Sequence, residues 1–153
     1  MNREQVYAVL MALHEDVLLL PNAAVAEVLA RDALQRGDRG HEWLLGHCEW
    51  NNRRVPVVRF EVLNGGRDAG DPRRERIVVL NSVGRHLPSG QLAIVTQGYP
   101  HLVTLNRAAM QPVELDAADR SDLVLSRVRI ANQVALIPDL ETLEAEIAHA
   151  QRA

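Results

Sequence analysis

Two strand-length apolar runs placed back to back around Asn51-Asn52 constrain the fold of this chain more than any other feature. They lie in the stretch WLLGHCEWNNRRVPVVRFEVL, which spans residues 43–63. After Gly, Asn is the residue that best tolerates the positive φ angles at the centre of a two-residue turn. The stretch therefore predicts a β-hairpin with strands at residues 44–50 and 54–62.

The turn fixes which residues of the two predicted strands lie opposite each other. The expected pairs are Trp50 with Arg53, Glu49 with Arg54, Cys48 with Val55, and Gly46 with Val57. One face then belongs in a core, because it consists of Leu44, Gly46, Cys48, Val55 and Val57. The other face carries the opposite charges of Glu49 and Arg54 but is also apolar, through Leu45, Pro56, Val58 and Phe60. We therefore expect one face to pack inside the fold and the other to contact something else.

Short apolar runs separated by turn residues make up most of the remaining chain. Further strands are predicted at residues 6–13, 16–20, 77–81, 92–96, 102–105, 113–115, 123–130 and 134–137. In the 123–130 strand, Val124, Ser126, Val128 and Ile130 share one face, and Leu125, Arg127 and Arg129 share the other. No internal repeat is evident. About ten short strands with frequent turn signals predict an all-β sandwich or barrel.

A C-terminal amphipathic helix is predicted at residues 140–150. Leu140, Leu143 and Ile147 form its apolar stripe, whereas Glu141, Glu144 and Glu146 lie largely off that stripe.

Residues 22–36 fit two structures. Asn22 can cap a helix, Gly37 can end it, and apolar residues recur between them at helical spacing, so propensity alone favours a helix. The polar stretches at residues 37–42 and 64–74 are predicted loops, and the second, rich in Gly, Asp and Arg, is the segment that most resembles a disordered one.

Composition excludes several classes of protein. A net charge of −3 argues against nucleic acid or an anionic membrane as the main partner. Cys48 is the only cysteine, so no internal disulfide can form and a reducing compartment is expected. No apolar run approaches the roughly 18 residues of a membrane span, and residues 1–5 show no apolar signal core. We expect a cytoplasmic protein of one domain without membrane insertion.

No group of residues calls for catalysis or for a cofactor. His41, His47 and Cys48 could suggest zinc, but His47 and Cys48 are strand neighbours that point to opposite faces, and no second ligand cluster follows. The glycines of residues 64–66 lack the ending of a phosphate-binding loop. Carboxylate pairs such as Asp116 with Asp119, and Glu141 with Glu144, are expected to be solvated. The chain is predicted to be neither an enzyme nor a metal or cofactor protein.

Arginines on the central hairpin leave two interpretations open. Arg53, Arg54 and Arg59 form either a solvated surface or a binding site for an acidic partner. Trp50, beside the turn, is either buried at a barrel rim or part of a protein interface.

Residues 46–61 (GHCEWNNRRVPVVRFE) resemble the central pattern of CheW-like domains. In that family a glycine and an apolar strand precede an Asn-Leu-Arg-Gly turn and an apolar-Pro-Val-Val-Asp strand. The residues that match are Gly46, Val55, Pro56, Val57, Val58 and, loosely, Phe60. Asn51 stands where the family usually has Arg, Asn52 where it has Gly, and Arg59 where it has Asp.

The resemblance extends over residues 6–147. VAEVL at 25–29 is similar to the family's strand ahead of the hairpin, which favours a strand through Val28 with a helical turn at 32–36. LAIVTQGYPHLVTL and SRVRIANQVALIPDLETL resemble the strand pair and the closing hairpin and helix of the second barrel. The resemblance implies two side-by-side five-stranded SH3-like barrels with a C-terminal helix, intertwined in one domain that spans residues 1–153.

The function that this resemblance implies is a non-catalytic adaptor. It would couple a methyl-accepting chemoreceptor tip to the regulatory domain of a CheA-like histidine kinase. By motif position, the kinase-facing surface would contain Val25, Glu27, Gly46, Asn51, Asn52 and Pro56, to which we add Trp50 and Arg53 from the hairpin. The change at Asn51 suggests a divergent member, similar to the ChpC-like accessory proteins of twitching motility. The alternative function is a small-molecule-binding β-barrel sensor.

Overall fold

A computed structural model describes residues 5–37, 41–66 and 70–152. In this part of the chain there are twelve strands and two α-helices. The strands are β1 (Gln5–Ala12), β2 (Val17–Pro21), β3 (Val25–Ala30), β4 (Gln35–Arg36), β5 (Leu44–Trp50), β6 (Arg53–Val58), β7 (Glu75–Asn81), β8 (Gln91–Gln97), β9 (His101–Asn106), β10 (Met110–Val113), β11 (Val124–Ile130) and β12 (Gln133–Pro138). The helices are α1 (Phe60–Leu63) and α2 (Leu140–Arg152). None of the described helices is long and apolar enough to cross a membrane.

The strands form two six-stranded sheets. The first sheet has the order β10-β11-β12-β2-β1-β9, and the second sheet has the order β3-β7-β8-β6-β5-β4. Neighbours are antiparallel except for β12 beside β2 and β6 beside β8, which are parallel. The predicted all-β class with a C-terminal helix is confirmed. Each sheet contains six strands rather than five, and β4 was not predicted.

Each sheet curls so that its two edge strands approach each other. In a flat six-stranded sheet the edges would lie about 24 Å apart. The edge strands β3 and β4 are joined by only four residues, which contain a 3₁₀ turn, Arg31–Ala33, and which span at most about 18 Å. In the first sheet, β9 and β10 are joined in the same way by the 3₁₀ turn Arg107–Ala109. These short links impose the barrel-like curvature of both sheets.

Three apolar clusters fill the molecule. The inner core of the first sheet contains Ala8, Leu19, Leu105, Val128 and Ala135, and the inner core of the second sheet contains Cys48, Val55, Val57, Ile77 and Val79 among others. A larger central core lies between the sheets and includes Met11, Leu18, Val58, Val78 and Ile94. Its outer side is covered by Leu140, Leu143 and Ile147 of α2, as the predicted apolar stripe requires.

Both faces of the central hairpin are therefore largely buried. Val55 and Val57 face the inner core of the second sheet, and Val58 faces the central core, all at 0% exposure. The expectation of an open second face is wrong for this apolar part, because the first sheet and α2 cover it. Only the turn end of the hairpin remains accessible.

The predicted register of the hairpin is confirmed in all four pairs, from Trp50 with Arg53 to Gly46 with Val57. A bulge between Leu44 and Gly46 was not predicted, and it exchanges two side chains. Leu45 packs in the inner core of the second sheet, while Leu44 packs against the central core, the reverse of the expected faces.

Several predicted boundaries differ from the structure, among them the strand predicted at 113–115, which is found as β10 at Met110–Val113. The strand predicted at 54–62 ends at Val58, and Phe60–Leu63 forms α1, because Phe60 turns into the central core. Residues 22–36 form β3, two 3₁₀ turns and β4, so the strand interpretation is right and the helical turn is shorter and earlier than expected. The predicted loops at 37–42 and 64–74 lie in part outside the described residues.

A structural repeat that was not evident in the sequence relates residues 43–63 to residues 123–143 at an offset of eighty. The hairpin β5–β6 matches β11–β12, each with a bulge at its start. The Arg59 amide donates to the Trp43 carbonyl at 2.7 Å, and the Asp139 amide donates to the Leu123 carbonyl at the same distance. α1 then corresponds to α2, and Phe60-Glu61 corresponds to Leu140-Glu141.

The two halves exchange their first hairpins. β1 and β2 precede β3 in the chain but complete the sheet of β9 to β12, whereas β7 and β8 precede β9 but complete the sheet of β3 to β6. Each sheet therefore contains strands from both halves.

Candidate protein-docking surface

The hairpin tip projects from the end of the second sheet. Asn51 and Asn52 have φ angles of 52° and 60°, as a type I′ turn requires, and both side chains are exposed. Trp50 is half-buried and packs against the inner core of the second sheet. The sequence left open whether Trp50 is buried at a barrel rim or exposed at an interface. Both descriptions apply in part, because the side chain packs against the core and part of its surface remains accessible.

Arg53 fastens this tip to the loop between β7 and β8. Its Nη1 donates to the carbonyl of Ser89 at 2.8 Å and lies 3.4 Å from Oε1 of Gln91. The side chain is thus held along the loop while it remains exposed to solvent.

A glycine is required at position 46 because the backbones of β4 and β5 approach each other closely there. Its φ is 152°, and a Cβ at this position would lie 2.0 Å from the carbonyl oxygen of Gln35 in β4. The amide of Gly37 donates to the carbonyl of Leu45 at 3.0 Å and holds the same crossing together. The glycine of the hairpin thus has a structural role at the edge of the second sheet.

Pro56 is buried beside a small hollow at the base of the hairpin tip. The hollow has a volume of about 160 Å³ and is lined by His47, Arg54, Pro56, Leu87, Pro88, Ser89 and Gln151. Burial lowers the pKa of His47, the charge of Arg54 lowers it further, and Glu49 opposes both. Burial and the charge of Arg54 therefore both favour the neutral form of His47.

Val25 and Glu27 lie apart from the hairpin in the hydrogen-bonded order, on the other edge strand of the second sheet. Glu27 is exposed, while Val25 is half-buried against the central core. The structure thus brings Gly46, Trp50, Asn51, Asn52, Arg53 and Pro56 together on one hairpin and places the β3 pair separately.

Arg59 does not belong to the predicted arginine group. It is 4% exposed, and its Nη1 donates to Oε2 of Glu75 at 2.7 Å, while Arg31 Nε donates to Oε1 of the same carboxylate at 3.1 Å. The interpretation of Arg59 as a contact for an acidic partner is wrong, because its charge is used inside the fold.

A second buried arginine was also missed by the sequence. Arg127 is 8% exposed although it stays on the face opposite Val128 and Ile130, as the alternation of its strand predicted, because acidic side chains from two loops cover it there. Its guanidinium contacts Asp119 at 2.6 Å, Asp116 at 3.3 Å and Asp16 at 3.4 Å. Hydrogen bonds from Arg127 are the main cause that lowers the pKa of Asp119. The expectation that Asp119 is simply solvated is wrong.

Exposed apolar side chains on the first sheet were not predicted as a site. Leu102 is 73% exposed and Tyr7 is 67% exposed. They lie on the same face of β1 and β9, because Val9 pairs with Leu102 and Tyr7 pairs with Thr104. Leu102 belongs to an apolar run that looks like a core strand, so the sequence carried no signal of its exposure.

The side chains considered for zinc are not arranged around a common point. Cys48 is fully buried, and burial raises the pKa of its thiol to about 11, whereas the ring of His41 lies 5.8 Å from that of Trp43. Among the described residues, no three His, Cys, Asp or Glu side chains form a cluster that could hold a metal ion.

Comparison with known proteins agrees with this geometry. The family model of the CheW-like domain matches residues 8–147. The crystal structure of the scaffolding protein TtCheW from Thermoanaerobacter tengcongensis superposes with a TM-score of 0.74, at 16% sequence identity, over 90% of this chain and 91% of that chain. No curated protein sequence matches the chain. From the family match over most of its length, we conclude that this chain belongs to the CheW-like domain family.

Proposed function

We propose that this protein is a non-catalytic adaptor of a chemosensory system, which couples methyl-accepting chemoreceptors to a CheA-like histidine kinase in the cytoplasm. The observation that carries the proposal is the family match over residues 8–147, together with an exposed hairpin tip at the position of the family's central motif. The departures at Asn51 and Asn52 support a divergent member of the ChpC-like type, with twitching motility as its output.

The kinase regulatory domain is assigned to the hairpin surface. Trp50, Asn51, Asn52 and Arg53 form its accessible tip, Gly46 and Pro56 shape its base, and Val25 and Glu27 extend it along the other edge of the second sheet. The tip is fixed by its turn and by the contact of Arg53 with Ser89. Such preorganisation lowers the entropy cost of binding.

The receptor tip is assigned to the exposed apolar face of Tyr7 and Leu102. An adaptor must hold two partners at once, so its two binding surfaces must not overlap. Tyr7 and Leu102 lie on the first sheet, whereas the hairpin tip belongs to the second. Large apolar side chains that remain exposed together are typical of protein interaction sites.

Titration calorimetry with the regulatory domain of a CheA-like kinase tests the proposal. Wild-type protein should bind, and Trp50→Ala should weaken binding by about tenfold or more, because a half-buried Trp is a frequent hot spot. Ile130→Ala is the matched control, since Ile130 occupies the equivalent position of the other hairpin and packs against its own sheet's inner core. The proposal would be contradicted if neither heat nor co-elution were detected at a protein concentration of about 100 μM. Specific complexes of standard size have a Kd far below that concentration.

A receptor pull-down separates the two assignments. Leu102→Asp should abolish capture of the receptor tip and leave the affinity for the kinase domain unchanged. If both partners were lost together, the two surfaces would not be independent.

A further inference from the structure

The hollow beside the hairpin tip has the size of a site for one side chain. Its volume of about 160 Å³ lies below the roughly 300 Å³ at which small-molecule pockets begin. It is bounded by the base of the hairpin on one side, by the turn of residues 87–90 on another, and by Gln151 near the end of α2. The hollow lies on the same hairpin as the tip assigned to the kinase.

The lining combines an apolar floor with one available positive charge. Pro56 is buried and Leu87 is 6% exposed, so the floor excludes water from part of the hollow. Arg54 is exposed, and its side chain forms no hydrogen bond or ion pair with the residues that the structure describes. Glu49 is its partner in strand register but does not pair with it through an ion pair in the described structure.

The other basic groups around the hollow do not supply an unpaired positive charge. Arg53 is held by Ser89 and Gln91, and the lowered pKa of His47 favours its uncharged form. The turn of residues 87–90 is closed by the Gly90 amide, which donates to the Leu87 carbonyl at 3.1 Å. Arg54 is therefore the residue of the lining that can offer an unpaired positive charge to a partner, beside a preformed hollow with an apolar floor.

We propose that this hollow receives a carboxylate side chain of the protein that binds the hairpin tip, and that Arg54 selects that partner by its negative charge. The planar guanidinium matches a carboxylate with two parallel hydrogen bonds. The inference rests on the proposed adaptor function, but it assigns to Arg54 a role that no motif of the hairpin turn supplies.

Charge substitutions at Arg54 test the proposal in the full chain, with the kinase regulatory domain as the titrant. Arg54→Glu should raise the Kd about tenfold or more, and Arg54→Ala should weaken binding less while reducing its dependence on salt. Arg107→Ala is the control, because Arg107 is an exposed arginine on the linking turn of the first sheet. Its affinity should equal that of the wild type.

A pair of variants at Pro88 tests the sign of the partner's charge. Pro88 is exposed at the rim of the hollow, so Pro88→Asp and Pro88→Lys change the backbone in the same way and differ only in charge. Pro88→Asp should weaken binding. Pro88→Lys should bind with wild-type affinity or more tightly. Thermal melting of each variant is measured in parallel.

The outcomes distinguish the two levels of inference. If the wild type does not bind the kinase domain, the adaptor function and this site fail together. If the wild type binds but Arg54→Glu binds equally well, or the two Pro88 variants have the same affinity, only the carboxylate site is overturned. The site is also overturned if Arg54→Ala lowers the melting temperature and leaves the affinity unchanged, because Arg54 would then serve the fold alone.

Discussion

Single residues of this chain are constrained by contacts with distant segments rather than by their neighbours in sequence. Arg59 is buried because Glu75 supplies a carboxylate on β7, and Arg127 is buried because Asp16 and Asp119 approach it from two other loops. A buried charge that loses its partner is costly, so such positions tolerate change poorly. Gly46 is the sharpest example, since its constraint is steric.

Gly46→Ala should destabilise the protein by about 3 kcal/mol, because the new methyl group would overlap the Gln35 carbonyl and displace β4. Gly37→Ala is the matched control across the same crossing. Its Cβ would meet only the Cα of Gly46 at 3.6 Å, an ordinary contact, so the loss should stay below about 0.5 kcal/mol. Denaturant unfolding measures both, and equal effects would show that the close approach is not what requires a glycine.

Among the elements, α2 does more than cover the central core. Glu144 was expected off the apolar stripe, yet it is 0% exposed, and its Oε2 accepts a hydrogen bond from the Gly84 amide at 2.7 Å. In the same loop, the carbonyl of Ser89 accepts a hydrogen bond from Arg53. The loop between β7 and β8 therefore connects the C-terminal helix to the hairpin tip.

Glu144→Ala should loosen this loop, because the Gly84 amide would lose its acceptor. We expect amide hydrogen exchange at Gly84 to accelerate about tenfold or more, which corresponds to about 1.4 kcal/mol of lost protection. Glu141→Ala is the control on the same helix: its carboxylate is largely exposed, and its ion-pair partner among the described residues is His86, at 3.7 Å. Exchange that rises equally in both variants would contradict a specific role for Glu144.

The sequence predicted those elements whose determinants are local. Asn51-Asn52 specified the turn and hence the register of the central hairpin, and the leucines of α2 specified its buried stripe. The hairpin end is exposed at Asn51, Asn52 and Arg53, but its role as a binding surface stays a prediction. The bulges at Leu45 and Leu125 had no local signal, and each moved side chains to the opposite face. The burial of Arg59 depends on Glu75, which alternation within one strand cannot reveal.

One signal was present and was missed. Phe60-Glu61 and Leu140-Glu141 stand at equivalent positions, each followed by a leucine at Leu63 and Leu143. The apolar residues of 54–62 suggested a long strand because a four-residue helix is too short to show helical periodicity. Comparison of the two halves would have predicted α1 from α2.

At the scale of the whole molecule, the exchanged hairpins and the shared central core tie the two sheets together. We propose that the chain is a single folding unit, because neither half contains all the strands of either sheet. Trp43 packs against the central core and Trp50 against the inner core of the second sheet, so tryptophan fluorescence reports mainly the second sheet. Far-UV circular dichroism reports the strands of both.

Leu19→Ala tests this coupling, since Leu19 lies in the inner core of the first sheet. The cavity should cost about 2 to 5 kcal/mol, and the fluorescence and dichroism transitions should shift together. A fluorescence midpoint that stays at the wild-type denaturant concentration while the dichroism curve splits would show that the sheets unfold independently.

The exchange of hairpins also sets an order of events on the ribosome. β2 leaves the exit tunnel early, but its parallel neighbour is β12, where Leu136 pairs with Leu18. At about 5 to 20 residues per second, the interval between these two strands lasts roughly ten seconds. Until β9 and then β12 are synthesised, a hairpin with leucines on both faces lacks its neighbouring strands, so we expect cellular chaperones to contact nascent β1 and β2.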